Sequence, residues 1–203
     1  GIRDSSVTGV QTCALPIFVF DELRDRLGLH AVPLRNYRLT GGAEVYLRWG
    51  STDTKVFDEV FLEKIYAPLA AAIPADSVPD VLVDLGANIG LSSLFLCRML
   101  GFNHVIAVEP DRANLRSLRQ NLEPNVAAEV TSIQAFAGAQ RGFANMLDAG
   151  HGSWGLRMGA RADHGIPVLP MREILPHTPE GVLLKCDIEG AEQLIFPEIA
   201  EWD

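Results

Sequence analysis

The sequence predicts an α/β protein: a doubly wound, mostly parallel sheet with a small N-terminal α/β element. Three stretches predict the layered sheet. Residues 81–90 (VLVDLGANIG) run from an apolar segment through two glycines into a helix-prone one. Residues 104–109 (HVIAVE) repeat the pattern of an apolar segment ending in an acid, and residues 182–187 (VLLKCD) repeat it again. Apolar strands alternating with helical segments imply a parallel sheet covered by helices.

Composition narrows the class. The chain has 203 residues, 48% hydrophobic and 21% charged, which suits one core with a small appendage. A net charge of −9 without a Lys/Arg run argues against a nucleic-acid partner. No apolar stretch approaches the ~20 residues of a membrane span. Cys13, Cys97 and Cys186 lie far apart with no C-x-x-C pair, so reduced thiols in a cytoplasmic protein are expected.

Taken in order, residues 7–17 (VTGVQTCALPI) resemble the translation of a sequencing-library adapter. Residues 1–17 are therefore set aside as an artefactual leader, with a signal peptide as the alternative. Dropping them leaves the charge unchanged, because Arg3 and Asp4 cancel. Residues 18–29 carry apolar positions at 20, 23 and 27, the spacing of a short amphipathic helix. Residues 45–49 (VYLRW) read as a strand, and residues 50–53 as a turn in which Ser51 or Asp53 caps a helix over 54–66. That helix presents Val56, Phe57, Val60, Phe61 and Ile65 on one face. A linker at 74–79 divides an N-terminal element (18–78) from a larger unit (79–203).

The larger unit opens on the central turn. Asp84 ends the first strand; Gly86 allows positive φ, and Gly90 allows close approach of the helix that follows over 91–100. A dinucleotide site calls for G-x-G-x-x-G, but Asn88 stands where the middle glycine belongs. An acid at the strand end suits a cofactor bearing an ammonium and a sulfonium. Glu109 lies 23 residues past Gly86, near the spacing of an acid that takes both hydroxyls of a ribose. A helix over 111–122, a strand over 130–135 and a further strand over 143–147 follow. Residues 151–165, rich in glycine and containing His151, Trp154, Arg157 and His164, read as a connecting or substrate loop. The strand over 182–187 leads into a helix from about residue 191.

These motifs together, VDLGANIGLSSLFL, VIAVEPDRANLRSLRQNL and LLKCDIEGAE, resemble the FkbM-type methyltransferase family, as does LRWGSTDTKVFDEVF upstream. The resemblance implies S-adenosylmethionine as cofactor and methylation of a hydroxyl on a small molecule, a sugar or a polyketide-type product. It implies that the turn from Asp84 through Gly86, Ala87 and Asn88 to Gly90 holds the methionine part and that Glu109 holds the ribose. Ala135 and Phe136 are then implied to line the adenine. The resemblance implies the class I methyltransferase (Rossmann-like) fold of seven strands, of which the sheet here is C-terminally incomplete, because this chain stops after the helix behind the fourth.

An alcohol nucleophile benefits from a positioned base, and Asp187 and Glu189 at the end of a central strand are the candidates. Lys185, in an otherwise apolar strand, calls for a carboxylate partner, expected at Asp187 or Glu189. Both acids also suit plain helix capping. Arg48, Ser51 and Asp53 are further candidates for contact with cofactor or substrate. Glu189 and Glu192 make too sparse a set for a metal. The rival readings are a nicotinamide-dependent oxidoreductase and a non-catalytic nucleotide-binding fragment.

Overall fold

The computed structural model describes residues 10–11, 34–148, 156–175, 181–188 and 192–199. The segment expected to be helical at 18–29 lies outside them, as do His151, Trp154 and Glu189. Two short strands, β1 (Val10–Gln11) and β2 (Leu34–Leu39), pair antiparallel, and β2 pairs antiparallel with β3 (Glu44–Arg48). The free edge of β3 is closed by side chains. Asn121 accepts from Tyr46 N at 2.7 Å and donates to Tyr46 O at 3.1 Å. Asn125 accepts from Glu44 N at 3.0 Å and donates to Glu44 O at 2.7 Å. Two amides one helical turn apart thus imitate the next strand of the ladder.

The helix expected over 54–66 is shorter and changes pitch. Helix α1 (Asp53–Phe57) widens into a π-helix over Asp58–Leu62, and Lys64 then takes a left-handed φ of 57°. The wide turn keeps Phe57, Val60 and Phe61 buried but leaves Ile65 half exposed. Tyr37, Phe57, Phe61 and Phe95 stack in series with centroids 5.2–5.8 Å apart, tying this element to the main unit. Helix α2 (Ala67–Ala72) precedes the linker.

The main sheet is parallel. Strands β4 (Val81–Leu85), β5 (His104–Val108) and β6 (Glu129–Ile133) lie in sequence, with helices α3 (Leu91–Leu100) and α4 (Arg112–Leu122) as crossovers. The last strand among the described residues, Val182–Cys186, returns to the opposite side of β4, giving a sheet that reads last–β4–β5–β6. The order reverses between β4 and this last strand, the switch point at which open α/β sheets bind ligands.

Alternation along each strand feeds two cores. Leu82, Val105 and Ala107 meet α3 and α4 on one face; Val83, Leu85, Ile106 and Val108 meet Met171, Ile174 and Ile195 on the other. Those three residues come from α5 (Met171–Ile174) and α6 (Glu192–Ile199). Both faces are covered, so the doubly wound α/β class stands.

The region after β6 departs from the sequence expectation. The strand expected over 130–135 ends at Ile133, and β7 (Phe136–Ala137) begins a second sheet. There β8 (Gly142–Asp148), β9 (Leu156–Ala162) and β10 (Ile166–Leu169) follow, ordered β7–β10–β8–β9 and mostly antiparallel. Of the glycine-rich stretch expected as a loop, the described part begins with a strand over Leu156–Ala162. Gly159 serves close strand packing, since a Cβ there falls 2.9 Å from both Asn145 O and Leu147 Cγ. The strand expected over 182–187 becomes β11 (Val182–Cys186). No helix among the described residues is long and apolar enough to cross a membrane.

Candidate functional site

A cleft of about 200 Å³ opens above the carboxyl ends of β4, β5 and β11. Its floor is the turn after β4. Gly86 takes φ 73°, and its N–H and that of Ala87 both donate to Val108 O at 3.0 Å, fastening the turn to β5. A Cβ on Gly86 would lie 1.9 Å from the Asp187 carbonyl oxygen, so only glycine lets the two strand ends meet. Asn88 takes φ 51°, a left-handed conformation that asparagine tolerates better than most residues. Its N–H donates to Glu109 Oε2 at 2.8 Å, while its buried Oδ1 has no partner among the described residues.

Glu109 closes β5 and is 5% exposed. Its Oε1 accepts from Asp111 N at 2.9 Å and from Asn114 Nδ2 at 3.3 Å. A carboxylate has about four acceptor sites, so these two donors and Asn88 N leave one open, on Oε2. Three of the acceptor sites through which Glu109 is expected to take both hydroxyls of a diol are therefore already occupied. Oε2 keeps one acceptor site, and the turn after β4 carries the orphaned Asn88 Oδ1. Burial pushes the Glu109 carboxyl up to about 7, although Asp111 N, Asn88 N and Asn114 Nδ2 pull the other way.

Asp84 and Gly90 do not line the cleft. Asp84 is fully buried behind the turn: Oδ2 accepts from Ser92 Oγ at 2.8 Å and Ser93 Oγ at 2.6 Å, and Oδ1 lies 2.9 Å from Lys185 Nζ. Gly90 takes φ 81° at the start of α3, where a Cβ would press on Leu118 at 3.1 Å; it serves helix packing.

Lys185 pairs with the expected Asp187 and, more closely, with Asp84, directly opposite in the parallel register, and it donates to Gly86 O at 2.9 Å. Asp187 is more distant, at 3.9 Å, and 65% exposed. Burial alone would lower the Lys185 pKa, but Asp84, Tyr66 and Asp187 hold it above the usual lysine value, so the ammonium stays charged.

Gly86, Ala87, Asn88, Glu109, Ala135, Phe136, Lys185 and Asp187 line one cleft. Arg48, Ser51 and Asp53 do not line it. Ser51 Oγ bridges Arg48 O and Asp53 N, while Asp53, 1% exposed, grips the Arg48 guanidinium at 2.7 and 2.8 Å. Thr52, the residue at the helix start, makes no side-chain cap bond.

Sequence reasoning missed the opposite wall. Val56, Val60, Ile65 and Tyr66 face the cleft from the N-terminal element, and Met158 from β9. The apolar period at 56 and 60 was visible, but it reads equally as core. Asn114 was also missed; its signal was a polar residue on the buried face of α4.

A family model describing a methyltransferase FkbM domain matches residues 84–203. The chain is 32% identical over 81 residues to the AMB antimetabolite synthetase AmbE of Pseudomonas aeruginosa, covering 40% of this chain and 4% of that protein. Among solved structures, TYW2 of M. jannaschii in complex with AdoMet overlaps 49% of this chain and 42% of its own, with 20% identity and a TM-score of 0.37. The SAM-dependent methyltransferase of Agrobacterium tumefaciens overlaps 54% and 34%, with 18% identity and a TM-score of 0.38. The chain spans less than half the length of each of these three proteins.

Proposed function

The chain belongs to the methyltransferase FkbM family, whose methyl donor is S-adenosylmethionine, and from that premise we propose that it methylates a hydroxyl on a small molecule, a sugar or a polyketide-type metabolite. The observation that carries the donor side is the pairing of Asn88 with Glu109. It sets one open carboxylate site and an orphaned amide oxygen at the switch point, which suits two vicinal hydroxyls. The residues present fit such a cofactor. Gly86 and Ala87 leave backbone, not side chain, on the floor, and Ala135 and Phe136 offer an apolar slot for a base.

The bound cofactor supplies a methyl group already made electrophilic by its sulfonium. The protein's task is alignment and exclusion of water, and positioning of this kind lowers a barrier by up to roughly 7–11 kcal/mol. Val56, Val60 and Ile65 supply an apolar wall over the reacting region. Asp187, exposed at the end of β11, is the base assigned to take the acceptor's proton; Glu189 is the second candidate and lies outside the described residues. Lys185 holds the floor by bonding Gly86 O and Asp84 at once.

The test is calorimetric titration of the chain with S-adenosylhomocysteine, with NADH as control, beside Asn88→Ala and Glu109→Ala. Binding of the first ligand alone, weakened at least tenfold in each variant, is expected. Tight NADH binding, or a folded wild type that ignores S-adenosylhomocysteine, overturns the reading. The acceptor class is then read from labelled methyl transfer onto a panel of hydroxylated small molecules, with Asp187→Asn expected to lose turnover and keep donor binding.

A further inference from the structure

A buried polar chain runs from the N-terminal hairpin to the cleft. Arg48, near the end of β3, donates from Nε to Asp53 Oδ2 at 2.8 Å and from Nη2 to Asp53 Oδ1 at 2.7 Å. The same Nη2 donates to Asn114 Oδ1 at 2.7 Å. Asn114 in turn donates from Nδ2 to Glu109 Oε1 at 3.3 Å. Asp53 and Asn114 are each 1% exposed.

We infer that Arg48, which does not itself line the cleft, is a positioning residue that fixes the Glu109 carboxylate through the amide of Asn114. The inference rests on Glu109 being a cofactor-binding residue. A guanidinium can only donate, so it admits only the carbonyl side of an amide at 2.7 Å. The NH₂ side of Asn114 is thereby turned toward Glu109. Were the amide free to rotate by half a turn, its oxygen would oppose the carboxylate. Asp53 completes the device from behind. Its bidentate grip, reinforced by Arg48 N donating to Asp53 Oδ2 at 2.9 Å, leaves the guanidinium one orientation.

Beyond the amide, the charges facing Glu109 are few: the Asp111 carboxylate at the start of α4, and Arg48 from β3 with Asp53 behind it. Asp111 favours the neutral form of Glu109; the guanidinium and the amide N–H favour the ionised one. Arg48 thus sets the orientation of the carboxylate and, through the amide of Asn114, favours its ionised form against the effect of burial.

The test compares the wild-type chain with Arg48→Met/Asp53→Asn, in which neither charge is orphaned, and with Arg48→Lys, whose single ammonium cannot serve both Asp53 and Asn114. Two quantities are read: S-adenosylhomocysteine affinity against pH, and the Glu109 carboxyl titration in ligand-free protein by carbon-13 NMR. The double variant is expected to bind roughly tenfold more weakly, the cost of one misdirected hydrogen bond to a charged group. Its Glu109 titration midpoint is expected to rise by about one pH unit. Arg48→Lys should show the same signs at smaller size. A lower melting temperature with an unmoved midpoint, in whichever variant folds, would reduce Arg48 to a structural strut and overturn the inference. A shifted midpoint in a chain whose wild type ignores S-adenosylhomocysteine would sink the methyltransferase reading and leave the positioning role standing.

Discussion

Lys185 and Asp84 face each other across neighbouring parallel strands, 2.9 Å apart and almost wholly shielded from water, directly beneath the Gly86–Asn88 turn. Lys185 reaches past Asp84 to the Gly86 carbonyl, so one ammonium joins two strands to the turn they support. Breaking such a pair from one side leaves a buried charge unmatched, at a cost of about 3–5 kcal/mol. Asp84→Asn and Lys185→Met should each lose that much in urea denaturation. The double variant should recover most of it, because no charge remains to be buried. Single losses below 1 kcal/mol would show that the pair is not the anchor it looks.

Two glycines with similar φ provide a matched contrast. Gly86 has φ 73° and Gly101 has φ 80°, but a Cβ on Gly86 meets Asp187 O at 1.9 Å while one on Gly101 meets nothing within 4 Å. Gly101→Ala should cost only the conformational penalty, about 1–2 kcal/mol. Gly86→Ala should force β4 and β11 apart and abolish ligand binding. Equal stability and binding in the two variants would be incompatible with this close approach.

Glu109 predicts a pH signature. Its carboxyl is pushed from 4.5 up to about 7 in the folded chain, chiefly by burial. Between these values the unfolded chain has released a proton that the folded chain keeps. The stability this adds is fully present below pH 4.5, falls as pH rises, and is gone once pH passes 7. Glu109→Gln should flatten that part of the stability profile, an effect of about 3 kcal/mol end to end. An unchanged slope in the variant would assign the titration elsewhere.

The thiols should be sluggish. Burial holds Cys97 up at about 12 and Cys186 at about 11, so neither supplies much thiolate at pH 8. Iodoacetamide labelling followed by mass spectrometry should be slow at both sites in the native chain and fast in urea. Rapid native labelling of Cys186 would indicate that the end of β11 opens.

The parts legible in the sequence are those whose chemistry is local. The Gly86–Asn88 turn, Glu109 at a strand end and Asp187 before a helix each carry their signal within a few residues. Partnerships set by strand register were not legible. Lys185 called for an acid, but its own strand offers only Asp187 and Glu189, whereas Asp84 becomes its neighbour only when β11 lies beside β4. Asn114 and Tyr66 reach the cleft through tertiary packing, the latter after a π-helical turn and a left-handed Lys64 that no apolar period announces. The second sheet was hidden because four glycines between 152 and 165 read as loop chemistry, although Gly159 sits within a strand.

The Asn121 and Asn125 amides that flank β3 also bear on solubility. A bare strand edge is a ready template for a strand from another molecule. Here the backbone groups of Glu44 and Tyr46 that would recruit it are already satisfied by Asn121 on α4 and Asn125 just past its end. Removing both amides would therefore do more than loosen the hairpin: it would turn a sealed border into an adhesive one, and self-association would rise with protein concentration even where the fold survives.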